Sequence, residues 1–341
     1  MRYLYIYMCV LCLLLQKSIQ GQDAHFSQFN FTPLQVNPAN AGDFNGCYRI
    51  HSTYRNQWNS VTTPYTTYLI SFDEPIRTKS YSENKFGIGV ILMNDQFSTK
   101  GFNHFMANIA LSAHRYVDHD KDHKLSGSLQ LGFAQKSLNI SDFSFISQYD
   151  KDQSFDLSLP NGEPISSTSI FYPDVGIGTI YHYNAPSTIK FKFGVAIHHL
   201  FRPKEQFLNQ GEHRINRRYN ISGKLIYPLE EKIDVRPSIL YMKQGSSNSV
   251  VVGSDFLYRF FMEDNLKRIG HLGLWYRSGD ALIVAGGFNY NGHLMAIAYD
   301  LNISSLSNVS GYNGGFEITY RHLLKCFPRI PVDFTIPCIR L

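Results

Sequence analysis

Apolar and polar residues alternate one by one through most of this chain, and that period of two constrains the fold more than any other feature. From Ile189, the stretch "IKFKFGVAIHH" sets Ile189, Phe191, Phe193, Val195 and Ile197 on one face, with Lys190, Lys192, Gly194, Ala196 and His198 on the other. "YNISGKLIY" from Tyr219, "IDVRPSILY" from Ile233 and "FEITYR" from Phe316 repeat the pattern. Successive side chains of an extended strand point to opposite faces, so each segment has one apolar and one polar side. Two architectures use such strands. A soluble sandwich buries the apolar faces against each other. An outer-membrane barrel turns them to lipid and its polar faces to the lumen.

Three features favour the barrel. Aromatic residues recur near segment ends, at Tyr54 and Trp58, Tyr181 and Tyr183, Tyr219 and Tyr227, Phe260 and Phe261, Trp275 and Tyr276, and Tyr290. Tyr and Trp suit the headgroup zone because one end of the ring is apolar and the other wet. The polar faces mix small with charged residues, as a lumen would. The connections alternate between short and long. Fourteen strands are read, at about 47–58, 64–73, 85–96, 102–117, 123–139, 173–184, 188–199, 217–227, 232–243, 248–261, 268–277, 280–290, 292–302 and 312–323. An even number is the rule for single-chain bacterial barrels. With a periplasmic N-terminus, the long connections 140–172, 200–216 and 303–311 all fall outside the cell. Asn291-Gly292 is a strong tight-hairpin signal on the opposite rim, where Pro228–Glu231 marks another turn.

The composition agrees. The chain carries 22 Tyr, 25 Phe and 25 Gly against only 17% charged residues, a mixture suited to many aromatic-rich strands joined by Gly and Asn turns. The apolar run Leu4 to Leu15, bracketed by Arg2 and Lys17, is too short to span a bilayer as a helix and reads as an export signal ending near Gly21. Loss of Arg2 and Lys17 lowers the net charge from +5 to +3, with no basic stripe of the kind nucleic acid needs. Cys9 and Cys12 leave with that signal. Cys47, Cys326 and Cys338 remain, and export permits a Cys326–Cys338 bridge. The chain then divides into a signal peptide at 1–21, an N-terminal segment at 22–46, a barrel at 47–323 and a periplasmic tail at 324–341.

The N-terminal segment has no period. "HFSQFNFTPLQVNPANAG", His25–Gly42, packs three Phe, two Pro and three Asn together. About eight strands make a barrel that its own side chains fill, whereas sixteen to eighteen leave a water channel. Fourteen lie between, so something must occupy part of the lumen. Phe26–Gly42, entering from the periplasmic side, is the segment expected to do so.

No pattern points to catalysis, a cofactor or a metal. "DHDKDH", Asp118–His123, offers His119 and His123 but reads as a charged turn without a third ligand at fixed spacing. His198 and His199, on opposite faces of one strand, would not share an ion. "DKDQSFD", Asp150–Asp156, begins like a calcium loop but has Phe155 where that loop needs Gly, and Asn161 where it needs Glu. "GIG" at Gly87–Gly89 lies inside a strand, not before a helix, which excludes a dinucleotide loop. Asp234 with Arg236, and Asp255 with Arg259, would form a lumen-facing charge ladder on neighbouring strands.

Several stretches resemble the PorP/SprF family, membrane components linked to the type IX secretion system of Bacteroidetes. They are the opening ribbon, "YRNQW" (Tyr54–Trp58), "HLFRP" (His199–Pro203), "PSILYMKQG" (Pro237–Gly245), "GLWYR" (Gly273–Arg277), "AYDLNISSL" (Ala298–Leu306), "GGFEI" (Gly314–Ile318) and the terminal "IPC" (Ile336–Cys338). The resemblance implies a fourteen-stranded antiparallel barrel similar to the fatty-acid-transporter type. It also implies support for export or surface attachment of adhesin-like cargo with a C-terminal secretion domain, in some members within gliding motility. It brings no catalytic residues. Asn37, Pro38, Gly42, Arg55, Asn56 and Trp58 match the family pattern and are expected to serve structure or partner contact. The implied partners are the cargo, the other secretion components and the lipid bilayer. A channel for small or hydrophobic solutes is the alternative.

Overall fold

The computed structural model describes residues 22–325, with short gaps in the connections, the longest at 77–84, 163–167 and 208–212. Fourteen antiparallel strands close on themselves: β1 (Tyr48–Gln57), β2 (Tyr65–Ile76), β3 (Lys85–Phe97), β4 (Phe102–Tyr116), β5 (His123–Leu138), β6 (Ser169–Asn184), β7 (Lys190–His198), β8 (Arg218–Glu230), β9 (Ile233–Gln244), β10 (Ser247–Glu263), β11 (Leu266–Arg277), β12 (Ala281–Tyr290), β13 (His293–Asn302) and β14 (Asn313–Leu324). Each pairs with its neighbours in sequence, and β14 returns to β1 from Tyr48↔Leu324 to Gln57↔Gly315. Closure leaves no strand edge. In hydrocarbon that matters, because an unpaired backbone group costs several kcal/mol. The described residues contain no helix long and apolar enough to cross a membrane, so the crossing is made by strands.

The alternation decides which face goes where. Tyr68, Ile70 and Phe72 of β2, Ile109 and Leu111 of β4, and Leu272 and Leu274 of β11 all lie exposed on the outer wall. An apolar band of this extent would drive association in water and suits acyl chains. On the same strands Ser71, Asp73, Asn108 and Ser112 turn inward and are buried.

Thirteen of the fourteen strands begin and end within three residues of their sequence expectation; β6 begins four residues early. Asn291 and Gly292 adopt φ of 48° and 90°, the left-handed pair that a tight hairpin requires. The turn read at Pro228–Glu231 is shorter than expected. β8 runs on to Glu230 through an irregularity between Pro228 and Glu230, which absorbs the proline's missing N–H.

The inner face departs from a purely polar lining. Leu69, Ile91, Met93, Leu240, Val251 and Ile283 point inward and are buried. Trp275, expected in the aromatic belt, is 5% exposed and stands in the lumen, while its neighbour Tyr276 takes the outer position. Its period-two partners Gly273 and Arg277 also face in. The belt holds elsewhere, with Tyr219, Tyr227, Phe260 and Tyr290 exposed outside.

All described connections of ten residues or more lie on one rim, here the long-loop rim: 139–168, 199–217 and 303–312. The first carries a small two-stranded piece, Tyr149–Asp150 against Ser154–Phe155. The opposite, short-turn rim carries the two-residue turns 231–232 and 291–292. The export signal and the tail beyond Lys325, with the Cys326–Cys338 pairing, lie outside the described residues. Cys47, which that pairing would leave over, is itself disulfide-bonded.

The inside-out arrangement makes a quantitative demand. Ile109 sits mid-strand facing outward and Ala110 beside it faces in, fully buried. Ile109→Arg should lower stability by about 2–4 kcal/mol in urea unfolding from lipid vesicles. An unchanged unfolding midpoint would remove the lipid-facing assignment.

Candidate functional site: the occupied lumen

Residues 22–46 run the length of the lumen. Ala24 to Phe26 lie beneath the long-loop rim, Asn37 is midway, and Gly46 meets Leu324 at the short-turn rim. The local sequence explains the path. Pro33 and Pro38 each start a single helical turn, Pro33–Val36 and Pro38–Asn40, because their fixed φ suits a first helical position and no N–H is lost there. Asn37 caps the second turn, its Oδ1 accepting from Ala39 N at 2.9 Å. No stretch is long enough to form a strand that could join the wall.

Apolar side chains wedge the ribbon in place. Phe29 meets Trp275 edge-on, with centroids 5.2 Å apart, and Val36 packs in the same cluster with Leu240, Val251 and Ile283. Phe26 and Leu34 join a second cluster with Leu69, Ile91, Met93 and Tyr172. The inward leucines and isoleucines of the strands are therefore matched by the ribbon's aromatics.

Polar clamps hold the ribbon at four levels. At the long-loop rim Asp23 lies 2.6 Å from His199 Nε2 and 3.2 Å from Arg218, and His199 Nδ1 lies 2.9 Å from Asp174. His199 follows β7 in a left-handed turn, φ 55°, which swings its ring to the same side as His198. The expectation that the two rings face apart fails for that reason: the strand ends before His199. Burial opposes a charged ring, but Asp23 and Asp174 outweigh it and raise the His199 pKa to about 9.

One level lower lies a buried charge cluster. Arg55 pairs with Asp300 at 2.9 Å and Glu317 at 3.1 Å, and Arg277 pairs with Asp300 at 3.1 Å. The ribbon closes it: Glu317 accepts from Ser27 N at 2.8 Å and Gln28 N at 3.1 Å, while the Ser27 hydroxyl donates to Asp300 and contacts Arg55. Two cations and two carboxylates thus neutralise each other across β1, β11, β13 and β14.

In the middle, Asn37 Nδ2 donates to the carbonyls of Thr179 and Val195 at 3.0 and 3.1 Å, bridging β6 and β7. A Cβ on Gly178 would lie 2.1 Å from Asn37 Oδ1, so the wall needs glycine there. At the short-turn rim Gly42 turns the chain with φ 66°, and its N–H donates to Asp73 at 2.9 Å. A Cβ on Gly42 would meet Gly87 and Glu74 at 2.8 and 2.9 Å. Asp43 then reaches Lys124, His182 at 2.9 Å and Lys192 at 3.0 Å.

The six residues singled out in the sequence thus divide. Asn37, Pro38, Gly42 and Arg55 meet in the interlock of ribbon and wall. Trp58 stands at the long-loop rim with φ 64°, its ring edge-on to Tyr65 at 5.4 Å. Asn56 faces outward beside it, lining a shallow cleft with Asn59, Tyr299 and Phe316. The expected charge ladder is also redrawn: Asp234 takes both Arg236 at 3.0 Å and Arg259 at 2.5 Å, while Asp255 is held by Asn30 of the ribbon at 3.0 Å. Sequence reading missed Ser27, Asp300, Glu317 and Arg277, because only the closed ring brings the two ends of the chain together. "DHDKDH" is a turn, with Asp118 accepting from the N–H groups of Asp122 and His123 at 2.9 Å each. The described residues hold no group of three His, Cys, Asp or Glu able to bind a metal.

Comparison with solved structures gives the same fold at low identity. The toluene transporter TbuX of Ralstonia pickettii aligns with a TM-score of 0.52 and 12% identity, over 89% of this chain and 96% of that one. A Pseudomonas aeruginosa FadL homologue gives 0.51 and 9%, over 84% and 92%. The CymD monoaromatic hydrocarbon channel gives 0.50 and 10%, over 90% and 96%. No curated protein matches the sequence. The family model described as type IX secretion system membrane protein PorP/SprF matches residues 18–322.

Two clamps give measurable expectations. Arg55→Met leaves Glu317 buried with no cation, which should cost about 3–5 kcal/mol, read as a lower temperature for loss of the folded barrel's gel mobility. The raised His199 value means that its clasp stabilises fully below the unfolded pKa of about 6.5 and fades as pH rises through about 9. Protease cleavage near Asp23 should therefore increase above pH 9 in the native chain and be high at every pH in His199→Gln.

Proposed function

The chain belongs to the PorP/SprF family of type IX secretion system membrane proteins, and from that premise we propose that it is a non-enzymatic outer-membrane platform that holds secreted cargo at the cell surface. In this reading an export signal at 1–21 delivers it, the long-loop rim faces outward, and loops 140–172, 200–216 and 303–311 grip the C-terminal secretion domain of a large adhesin-like protein. The short-turn rim and Cys326–Leu341 face the periplasmic machinery. Gliding motility in a Bacteroidetes cell, where moving adhesins need an anchor, is a natural setting.

The observation that carries the reading is the filled lumen. A ribbon wedged by Phe26, Phe29, Leu34 and Val36, and clamped by ion pairs at both ends and by hydrogen bonds in between, acts as a plug. It removes the conduit and leaves the rims as working surfaces. Loops fixed on a rigid ring are well suited to recognition. Exposed aromatic and aliphatic side chains there, Phe201, Ile146 and Tyr312, are candidate anchors. Trp58 and Asn56 stand on the same rim.

The rival is uptake of a small or hydrophobic solute. The fold is shared with a toluene transporter and a monoaromatic hydrocarbon channel, and at 10–12% identity that likeness concerns fold alone. The ribbon disfavours a passage, since a solute would have to displace two buried clusters and four polar clamps.

Loss of the chain should leave cargo inside the cell or shed into the medium, and the purified protein should pass no porin-like current in planar bilayers. Cargo at the surface in normal amounts, together with steady conductance and solute preference, would favour the rival.

A further inference from the structure

Four basic side chains stand shoulder to shoulder on the inner wall near the short-turn rim. Lys124 of β5 pairs with His182 of β6, His182 with Lys192 of β7, and Lys192 with Lys224 of β8, each directly opposite the next in the strand register. Neighbouring strands are about 4.8 Å apart, so the row spans roughly 14 Å. Like charges directly opposite each other on one face destabilise a sheet. The fold tolerates this row because the ribbon brings it an anion. Asp43 contacts Lys124, His182 and Lys192, and Asn40 Oδ1 accepts from Lys192 at 2.6 Å.

Asp43 contacts three of the four bases and leaves the cavity mouth beyond them without an acid among the described residues. Lys224 lies out of Asp43's reach; it donates to Asn30 Oδ1 at 3.3 Å, and Asp255, held by the same Asn30 side chain at 3.0 Å, is its nearby opposite charge. Beside it opens a cavity of about 640 Å³, whose lining includes Asp43, Lys85, Lys190, Lys192 and Lys224. Lys85 and Lys190 are exposed at its mouth and pair with no carboxylate among the described residues. The cavity lies at the short-turn rim, and Asp43 is the one acid in its lining among the described residues.

We propose that this row and its mouth are a binding site for an acidic polypeptide segment, in which Asp43 already occupies one position and carboxylates of a partner occupy the positions at Lys85 and Lys190. The chemistry is read from the occupant present: a carboxylate carried on an irregular peptide strand lies across three of the four bases. A partner's Asp or Glu side chains extend the same pattern into the open volume. The site lies on the rim opposite the cargo loops, so it stands apart from the cargo reading and either can fail alone.

The test uses the full chain in detergent and a fluorescent hexaglutamate peptide, read by polarisation at low ionic strength. Saturable binding is expected, weakened as salt shortens the range of the charges. Lys85→Gln with Lys190→Gln changes only exposed rim residues, so the barrel should fold, and affinity should fall by about tenfold or more, as for two lost charge contacts. Asp43→Asn frees three bases and should tighten binding several-fold. An unchanged affinity in the double lysine variant overturns the assignment. So does displacement of the peptide by inorganic phosphate at equal concentration, which would mark a simple phosphate site instead.

Discussion

A polypeptide in hydrocarbon has no water to satisfy its backbone, and this one constraint organises the molecule. It requires a sheet without edges, which is why β14 comes back to β1 in full register. It then forces the alternation: every second side chain must be apolar, because the outer wall meets lipid, and the others are confined to the lumen. With fourteen strands the lumen is too wide for those side chains alone to fill. The ring creates an interior that must be occupied, and the aperiodic ribbon before β1 occupies it.

How the ribbon does so shows a balance of two forces. Its Phe and Leu side chains give non-directional burial against inward Leu69, Ile91 and Trp275. Burial alone would let the ribbon slide. The clamps add register: Ser27 at the Glu317–Asp300 pair, Asn37 across β6 and β7, Gly42 at Asp73, and Asp43 at the lysine row. Each is polar, short and geometrically specific. A buried ion pair contributes little net stability, since desolvation offsets much of its attraction, but losing one partner is costly. The cluster of Arg55, Asp300, Glu317 and Arg277 thus serves to fix position more than to hold the barrel together.

Most of the ring was legible in the sequence because alternation is a local property: a strand such as Phe316–Arg321 declares its two faces by itself. What was not legible depended on closure or on single turns. Trp275 looks like a membrane-belt residue beside Tyr276, and only the phase set by Gly273 and Arg277 turns it inward. His199 looks like the outward neighbour of His198 until a left-handed turn ends the strand. Asp255 pairs with the ribbon rather than its ladder, because Asn30 arrives from over two hundred residues away. The six residues marked by resemblance carried no geometric information of their own. Four belong to the ribbon's seat and two to the rim.

The ribbon's path also links the rims. Its early residues are held by His199 and Arg218 under the long loops, and its last ones by Lys124 and Lys192 at the short turns. One covalent segment therefore touches both faces of the membrane through a rigid wall. Between those ends, Phe26 to Val36 pack into both apolar clusters. The barrel axis is thus filled by one segment whose two ends are held at the two rims.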